Sequence, residues 1–167
     1  MDEEAQVMIF PKKIRIAYMV NHLLFGGVEK YVIDLVNNLD RSKFEPYIVT
    51  FSQIGPIVEY LNEPVEIYEL RKSEGNDFKA IARLAKWCKA KGIDVIHSNN
   101  WGTYLESAIA KKMGGAKVLI HVQHGLEMND DEARSPRKRF IRNRLRQLCA
   151  AFTDELISVS SCLLYTS

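Results

Sequence analysis

The sequence predicts an α/β fold: a doubly wound parallel sheet of Rossmann-like type. Three observations predict it. Strand-like apolar runs alternate with helical apolar stripes from Ile14 to Ser160. The first run, Ile14-Arg-Ile-Ala-Tyr-Met-Val20, is near-continuously apolar, as a strand covered on both faces must be. Two of the helical stripes close on glycine, at Lys91-Gly92 and Gly114-Gly115.

The elements follow in order. After the Ile14–Val20 strand, Val28, Tyr31, Val32, Leu35, Val36 and Leu39 recur at helical spacing. Residues 46–51 are β-branched and aromatic, which suits a second strand. Gly55-Pro56 breaks the chain, and 57–61 forms a short helical turn. Residues 65–70 alternate apolar and polar, as a strand near a sheet edge does. Phe78, Ile81, Ala82, Leu84, Ala85 and Cys88 give the next helix. A short buried strand is expected over 93–97, a polar turn over 98–102, and a helix over 103–113. Residues 117–122 form another strand, 123–136 a long loop, 137–151 a helix and 155–160 a final strand. The domain is read as 13–160, with 1–12 a flexible lead-in and 161–167, which carries no continuing pattern, a truncated or non-native tail.

At 167 residues, one domain with a sizeable core is expected. With 47% hydrophobic and 26% charged residues the composition is that of a soluble globular chain, and a net charge of +2 selects no partner class. No apolar run approaches the roughly 18 residues of a membrane span, and the acidic start Met1-Asp-Glu-Glu is unlike a secretory signal. Cys88, Cys149 and Cys162 are widely spaced, so a reduced cytoplasmic setting and no metal site are expected.

In a parallel α/β sheet, ligands bind beyond the carboxyl ends of the strands. Here those ends carry Asn21–Gly27, His97–Trp101 and Gln123–Glu127. Gly26-Gly27 precedes a helix whose unpaired first-turn N–H groups and dipole favour an anion. A phosphate site and a ligand-free tight turn both fit those glycines. No G-x-G-x-x-G and no P-loop lysine is present. His124, just past a strand end and followed by Gly125, is the best reactive candidate. It could accept a hydrogen bond from a ligand hydroxyl or donate one to developing charge, against the alternative of pairing with nearby backbone. His121, inside the strand, is expected to be structural. His97, Asn99, Asn100 and Trp101 offer an imidazole, two amides and an indole, the groups a sugar site uses, although the asparagines suit local turn capping equally. Glu29 in the first helical turn complements the dipole or meets a ligand hydroxyl, the dipole role being more frequent.

From Arg134 to Arg146 there are seven basic residues and no acidic one. Phe140, Ile141, Leu145, Leu148, Cys149 and Phe152 form an apolar stripe expected to pack inward, leaving the charges solvated. A weaker role for the basic face, through Arg137, Lys138 and Arg142, is contact with an anionic membrane surface or substrate. Nucleic acid is not expected, because no aromatic interleaves with the basic face.

Ile14–Leu39 with Gly26-Gly27-Val-Glu29, Asp94-Val-Ile-His97 and Val122-Gln-His-Gly125 together resemble the N-terminal half of retaining glycosyltransferases of the GT-B fold, family four. The resemblance covers residues 14–160. It implies two Rossmann-like domains facing a cleft, no metal and no cofactor, with a nucleotide-diphosphate-sugar as co-substrate and a glycan or lipid-linked acceptor. It implies that Gly26 and Gly27 approach the donor diphosphate and that His124 is the catalytic-side contact to the donor sugar. His97, Asn99 and Asn100 would line the acceptor side, and Asn21, Glu29 and Trp101 join that acceptor or sugar-binding set. The activity expected is a cytoplasmic hexosyltransferase in polysaccharide biosynthesis, peripheral to the inner face of the membrane. The family's donor-binding second domain has no counterpart in these residues, so the chain by itself is expected to be inactive. The alternative is a non-catalytic sugar- or phosphate-binding module, or a membrane-surface module.

Overall fold

A computed structural model describes residues 12–73, 75, 77–125 and 136–159. Its strands are β1 (Ile14–Val20), β2 (Phe44–Thr50), β3 (Glu66–Glu69), β4 (Val95–Asn99), β5 (Val118–Gln123) and β6 (Glu155–Ser158). They form one sheet in the order β3-β2-β1-β4-β5-β6, and every described pairing is parallel. The helices α1 (Gly27–Asn37), α2 (Phe78–Lys91), α3 (Trp101–Gly114) and α4 (Pro136–Ala150) supply crossovers, and a 3₁₀ turn (Pro56–Tyr60) links β2 to β3. The order reverses beside β1, which is the topological switch point of a doubly wound sheet. The lead-in before residue 12, the tail 161–167 and most of the 123–136 loop lie outside the described residues.

Strand alternation divides the core in two. Ala17, Met19, Val49 and Ile96 pack with Leu84 of α2 and Ala108 of α3. Tyr18, Val20 and Ile48 pack with Val32, Ile33 and Val36 of α1 and Ile57 of the 3₁₀ turn. Both sheet faces are therefore covered at β1, which explains its continuous apolar run. Helix α2 begins where Asp77 accepts a bond from the Ala80 amide, 2.9 Å, which satisfies one orphan donor of the first turn. It stops at Gly92 and α3 stops before Gly115, both in the left-handed region at φ +60° and +79°. Gly114 is the last residue of α3 rather than its cap; a Cβ there would press on Cys88 and the Ala85 carbonyl, so it sets how closely α2 and α3 approach.

Several boundaries differ from the sequence reading. β2 starts at Phe44. β4 runs to Asn99, so the polar turn is one residue long and α3 starts at Trp101. Ser98 and Asn99 are poor strand formers by propensity. They remain in the ladder because their side chains find partners on β5 and β1.

The packing of α4 corrects the expected stripe. Phe140, Ile141 and Leu148 are 61%, 49% and 56% exposed, while Arg142 is 3% exposed and Cys149 is buried. The inward face is the stripe through Arg142 and Cys149. Arg142 goes inward because its guanidinium lies 5.3 Å from the centre of the Trp101 ring, and a ring face attracts a cation. Leu156, Ile157 and Val159, in and just after β6, are also exposed.

Candidate functional site at the carboxyl edge of the sheet

Because the strands are parallel, the segments after β1, β4 and β5 all leave the same edge. Asn99 is the hub there. Its backbone N–H donates to Thr103 Oγ1 at 3.0 Å, and its carbonyl accepts from that hydroxyl at 2.8 Å. Its side-chain Nδ2 donates to the Met19 carbonyl of β1 at 3.0 Å. Its Oδ1 lies 2.9 Å from His124 Nε2. The next residue, Asn100, completes the hold on His124: Asn100 Oδ1 accepts from the His124 backbone N–H at 2.9 Å. Asn100 sits at φ +55°, ψ 170°, a region nearly reserved for glycine, and this strain of about 1–3 kcal/mol turns the chain from β4 into α3.

Aromatic rings enclose the imidazoles. His97 is 7% exposed and lies 5.1 Å from the Tyr18 ring and 6.1 Å from Tyr31. Tyr31 meets His124 edge-on at 4.7 Å. Burial pushes the His97 pKa down to about 4, and lowers that of His124 as well, so both rings are neutral near pH 7. On the opposite face, His121 stacks on Tyr104 with centroids 3.7 Å apart, and its Nδ1 is 2.8 Å from the Ser98 hydroxyl. Burial pushes its pKa to about 4 too. The residue is 2% exposed, and its stack and hydroxyl contact lie inside the core, which is a structural role.

At the start of α1, Gly26 is extended and supplies no side-chain cap. Glu29 folds back instead: a Cβ on Gly26 would collide with Glu29 Oε2, and Glu29 Oε1 lies 3.3 Å from His22 Nδ1. A buried carboxylate thus already sits at the positive end of the helix. A diphosphate approaching Gly26 and Gly27 would have to displace it. Gly27 has open space where a Cβ would stand, and it lines a groove beside α1 with Lys30, Tyr31, Asp34, Leu35 and Asn38. Asn21 packs its amide against Gly102 in the first turn of α3, where no Cβ could fit without moving it.

The structure therefore brings His97, Asn99, Asn100 and His124 into one bonded cluster, with Asn21, Glu29, Gly26 and Gly27 on neighbouring segments. It does not join Trp101 to that cluster. The indole packs between Arg142 and Arg146, at 5.3 and 5.5 Å, and edge-on to Tyr104. This also corrects the expected anionic-surface contact: Arg142 is buried against that ring and cannot belong to an outward basic face. Arg137 is exposed, and the side chain of Lys138 lies outside the described residues. Among the described residues no three His, Cys, Asp or Glu side chains group as metal ligands, and no helix is long and apolar enough to cross a membrane.

The sequence profile of Glycosyltransferase Family 4 matches residues 25–164. The chain belongs to glycosyltransferase family 4. That match contains both α1 and the His124 segment, so the family's own pattern runs through this rim. A curated relative is the UDP-Gal:alpha-D-GlcNAc-diphosphoundecaprenol alpha-1,3-galactosyltransferase of Escherichia coli, 23% identical over 128 residues. The match covers 74% of this chain and 33% of that protein, so the chain spans about a third of the relative's length. Two solved structures share the fold. A glycosyltransferase from Rickettsia africae superposes with TM-score 0.54 at 19% identity, over 90% of this chain and 43% of that one. An O-GlcNAc transferase mutant from Thermobaculum terrenum gives 0.52 at 16%, over 68% and 24%. The expected Rossmann-like glycosyltransferase half is therefore what the fold and the family match give.

Tyr31 was missed as a site residue, because its position fits the apolar stripe of α1. The signal was its hydroxyl-bearing ring one turn into a helix that follows Gly-Gly. Tyr18 was hidden in the same way inside β1.

Proposed function

We propose that this chain is the acceptor-side half of a retaining glycosyltransferase that moves a sugar from a nucleotide-diphosphate-sugar to a glycan or lipid-linked acceptor. In that reaction the bond from the anomeric carbon to the diphosphate oxygen breaks, and the diphosphate departs with the electron pair. The acceptor hydroxyl oxygen bonds to the same carbon, and its proton passes to the departing diphosphate oxygen. One observation carries the reading: in a chain of this family, a half-buried imidazole is held at the sheet's carboxyl edge by two asparagines, one ending the neighbouring strand and one in the turn after it. That rigidity is what a transition-state contact requires, because misplacement by an ångström is costly.

His124 contacts the donor sugar beside the reacting carbon. Gly26 and Gly27 lie against the diphosphate once Glu29 swings aside. His97 and Asn100 shape the acceptor side with Asn21. Stabilisation of the departing diphosphate is the larger catalytic effect, and it needs a second domain, so these residues alone give no turnover. The reaction takes place on the cytoplasmic side, with no metal or cofactor. The test is a transfer assay with the full-length protein that carries this chain, offered a panel of nucleotide sugars and a polyprenyl-diphosphate-linked sugar. Growth of the acceptor by one sugar supports the reading. Hydrolysis or epimerisation of the nucleotide sugar without transfer overturns it.

A further inference from the structure

We propose that Asn99 is a positioning residue rather than a sugar contact: it fixes His124 as the tautomer protonated on Nε2, so that Nδ1 is the atom offered to a ligand.

The amide's orientation follows from its surroundings. Asn99 is 2% exposed, and the Met19 backbone oxygen 3.0 Å from its side chain can only accept. The amide NH₂ must therefore face Met19, since the reverse would set two oxygens against each other in a buried site. The same NH₂ lies 3.5 Å from His97 Nδ1. Oδ1 is left facing His124 Nε2 at 2.9 Å, and a carbonyl oxygen there requires an N–H. Thr103 anchors the Asn99 backbone from both sides, and the Met19 bond holds the buried amide itself against following a turned ring.

The consequence rests on the reading that His124 contacts a sugar. A neutral ring with its proton on Nε2 has a lone pair on Nδ1, which accepts from a hydroxyl. It cannot donate to an oxyanion from that nitrogen unless it takes up a second proton. Of the two roles open to His124 from sequence, this geometry selects hydroxyl recognition. Asn99 itself makes no direct contact with sugar, because both ends of its buried amide are committed inside the protein.

The test is nitrogen NMR of the 167-residue chain with ¹⁵N-labelled histidine, which contains four such residues. The ring shifts of each report its tautomer and its titration. In the wild-type chain, His124 is expected to be protonated on Nε2 in roughly tenfold excess or more, the ratio that a bond of about 1.4 kcal/mol sets. A His124 protonated chiefly on Nδ1 would overturn the proposal without any variant, so a substitution that fails to fold does not shield it. In Asn99→Asp, a carboxylate facing Nε2–H should keep the tautomer and raise the pH at which His124 titrates. In Asn99→Leu, the excess should collapse towards that of an unconstrained imidazole. The His121 signals, which depend on Ser98 and Tyr104, should stay in place in both. Unchanged His124 tautomer and titration in both variants would also overturn it. Absence of sugar transfer in the full-length protein, with the wild-type tautomer as expected, would sink the functional reading and leave the assignment standing.

Discussion

His124 Nε2 and Asn99 Oδ1 are 2.9 Å apart, and the other end of the same amide is bonded to the Met19 carbonyl of β1. Three non-adjacent stretches of sequence, ending β1, β4 and β5, are thereby tied through one side chain. The histidine's place depends on the register of the central strands rather than on its own loop.

Burial makes this sheet sensitive to acid. His97 and His121 have pKa values pushed down to about 4 by desolvation, whereas in the unfolded chain both titrate near pH 6.5, roughly. Below about pH 6.5 the unfolded chain binds protons that the folded chain refuses, so stability falls as pH falls, until about pH 4 where the folded chain protonates too. The expected loss between pH 7.5 and 5 is about 2 kcal/mol per histidine. Urea unfolding at both pH values checks this. His121→Phe keeps the stack on Tyr104 and should lose about 2 kcal/mol less over the same interval.

The two glycines before α1 should separate. A Cβ on Gly27 meets nothing within 4 Å, so Gly27→Ala should raise stability by about 0.4–1 kcal/mol through the unfolded chain. If a diphosphate approaches that backbone, the same variant should raise the donor KM several-fold in the full-length protein. A KM equal to wild type would remove Gly27 from the donor site. Gly26→Ala should displace the Glu29 carboxylate, a flexible side-chain end, and should leave the unfolding midpoint little changed.

Asn100 combines strain with a useful bond. Asn100→Gly relieves the backbone at φ +55° but frees the His124 amide. These effects are each about 1 kcal/mol and oppose one another, so its stability should stay near wild type. Asn100→Ala loses the bond and keeps the strain, and should be less stable than Asn100→Gly by at least about 1 kcal/mol. Thermal or urea unfolding of the pair decides this.

Local chemistry made much of this legible. Gly92 ends α2 because a cap acts through neighbours in sequence, and the β1 run showed its two-sided burial directly. What escaped the sequence depends on partners brought by the fold. Asn99 stays in β4 because Met19 and His124 meet its amide. Arg142 is buried because Trp101, from another helix, offers its ring. Tyr31 and His124 touch only after α1 has packed beside β4. The rim could be located from the strand ends, but which side chains bind one another could not, since the pairs lie 24 and 25 residues apart for Asn100–His124 and Asn99–His124.

The most direct measurement is the turnover and donor affinity of His124→Ala in the full-length protein. In this variant kcat should fall by at least about tenfold, or 1.4 kcal/mol, while the donor Kd stays within about threefold of wild type. Turnover equal to wild type, or a fall explained wholly by weaker donor binding, would contradict this expectation.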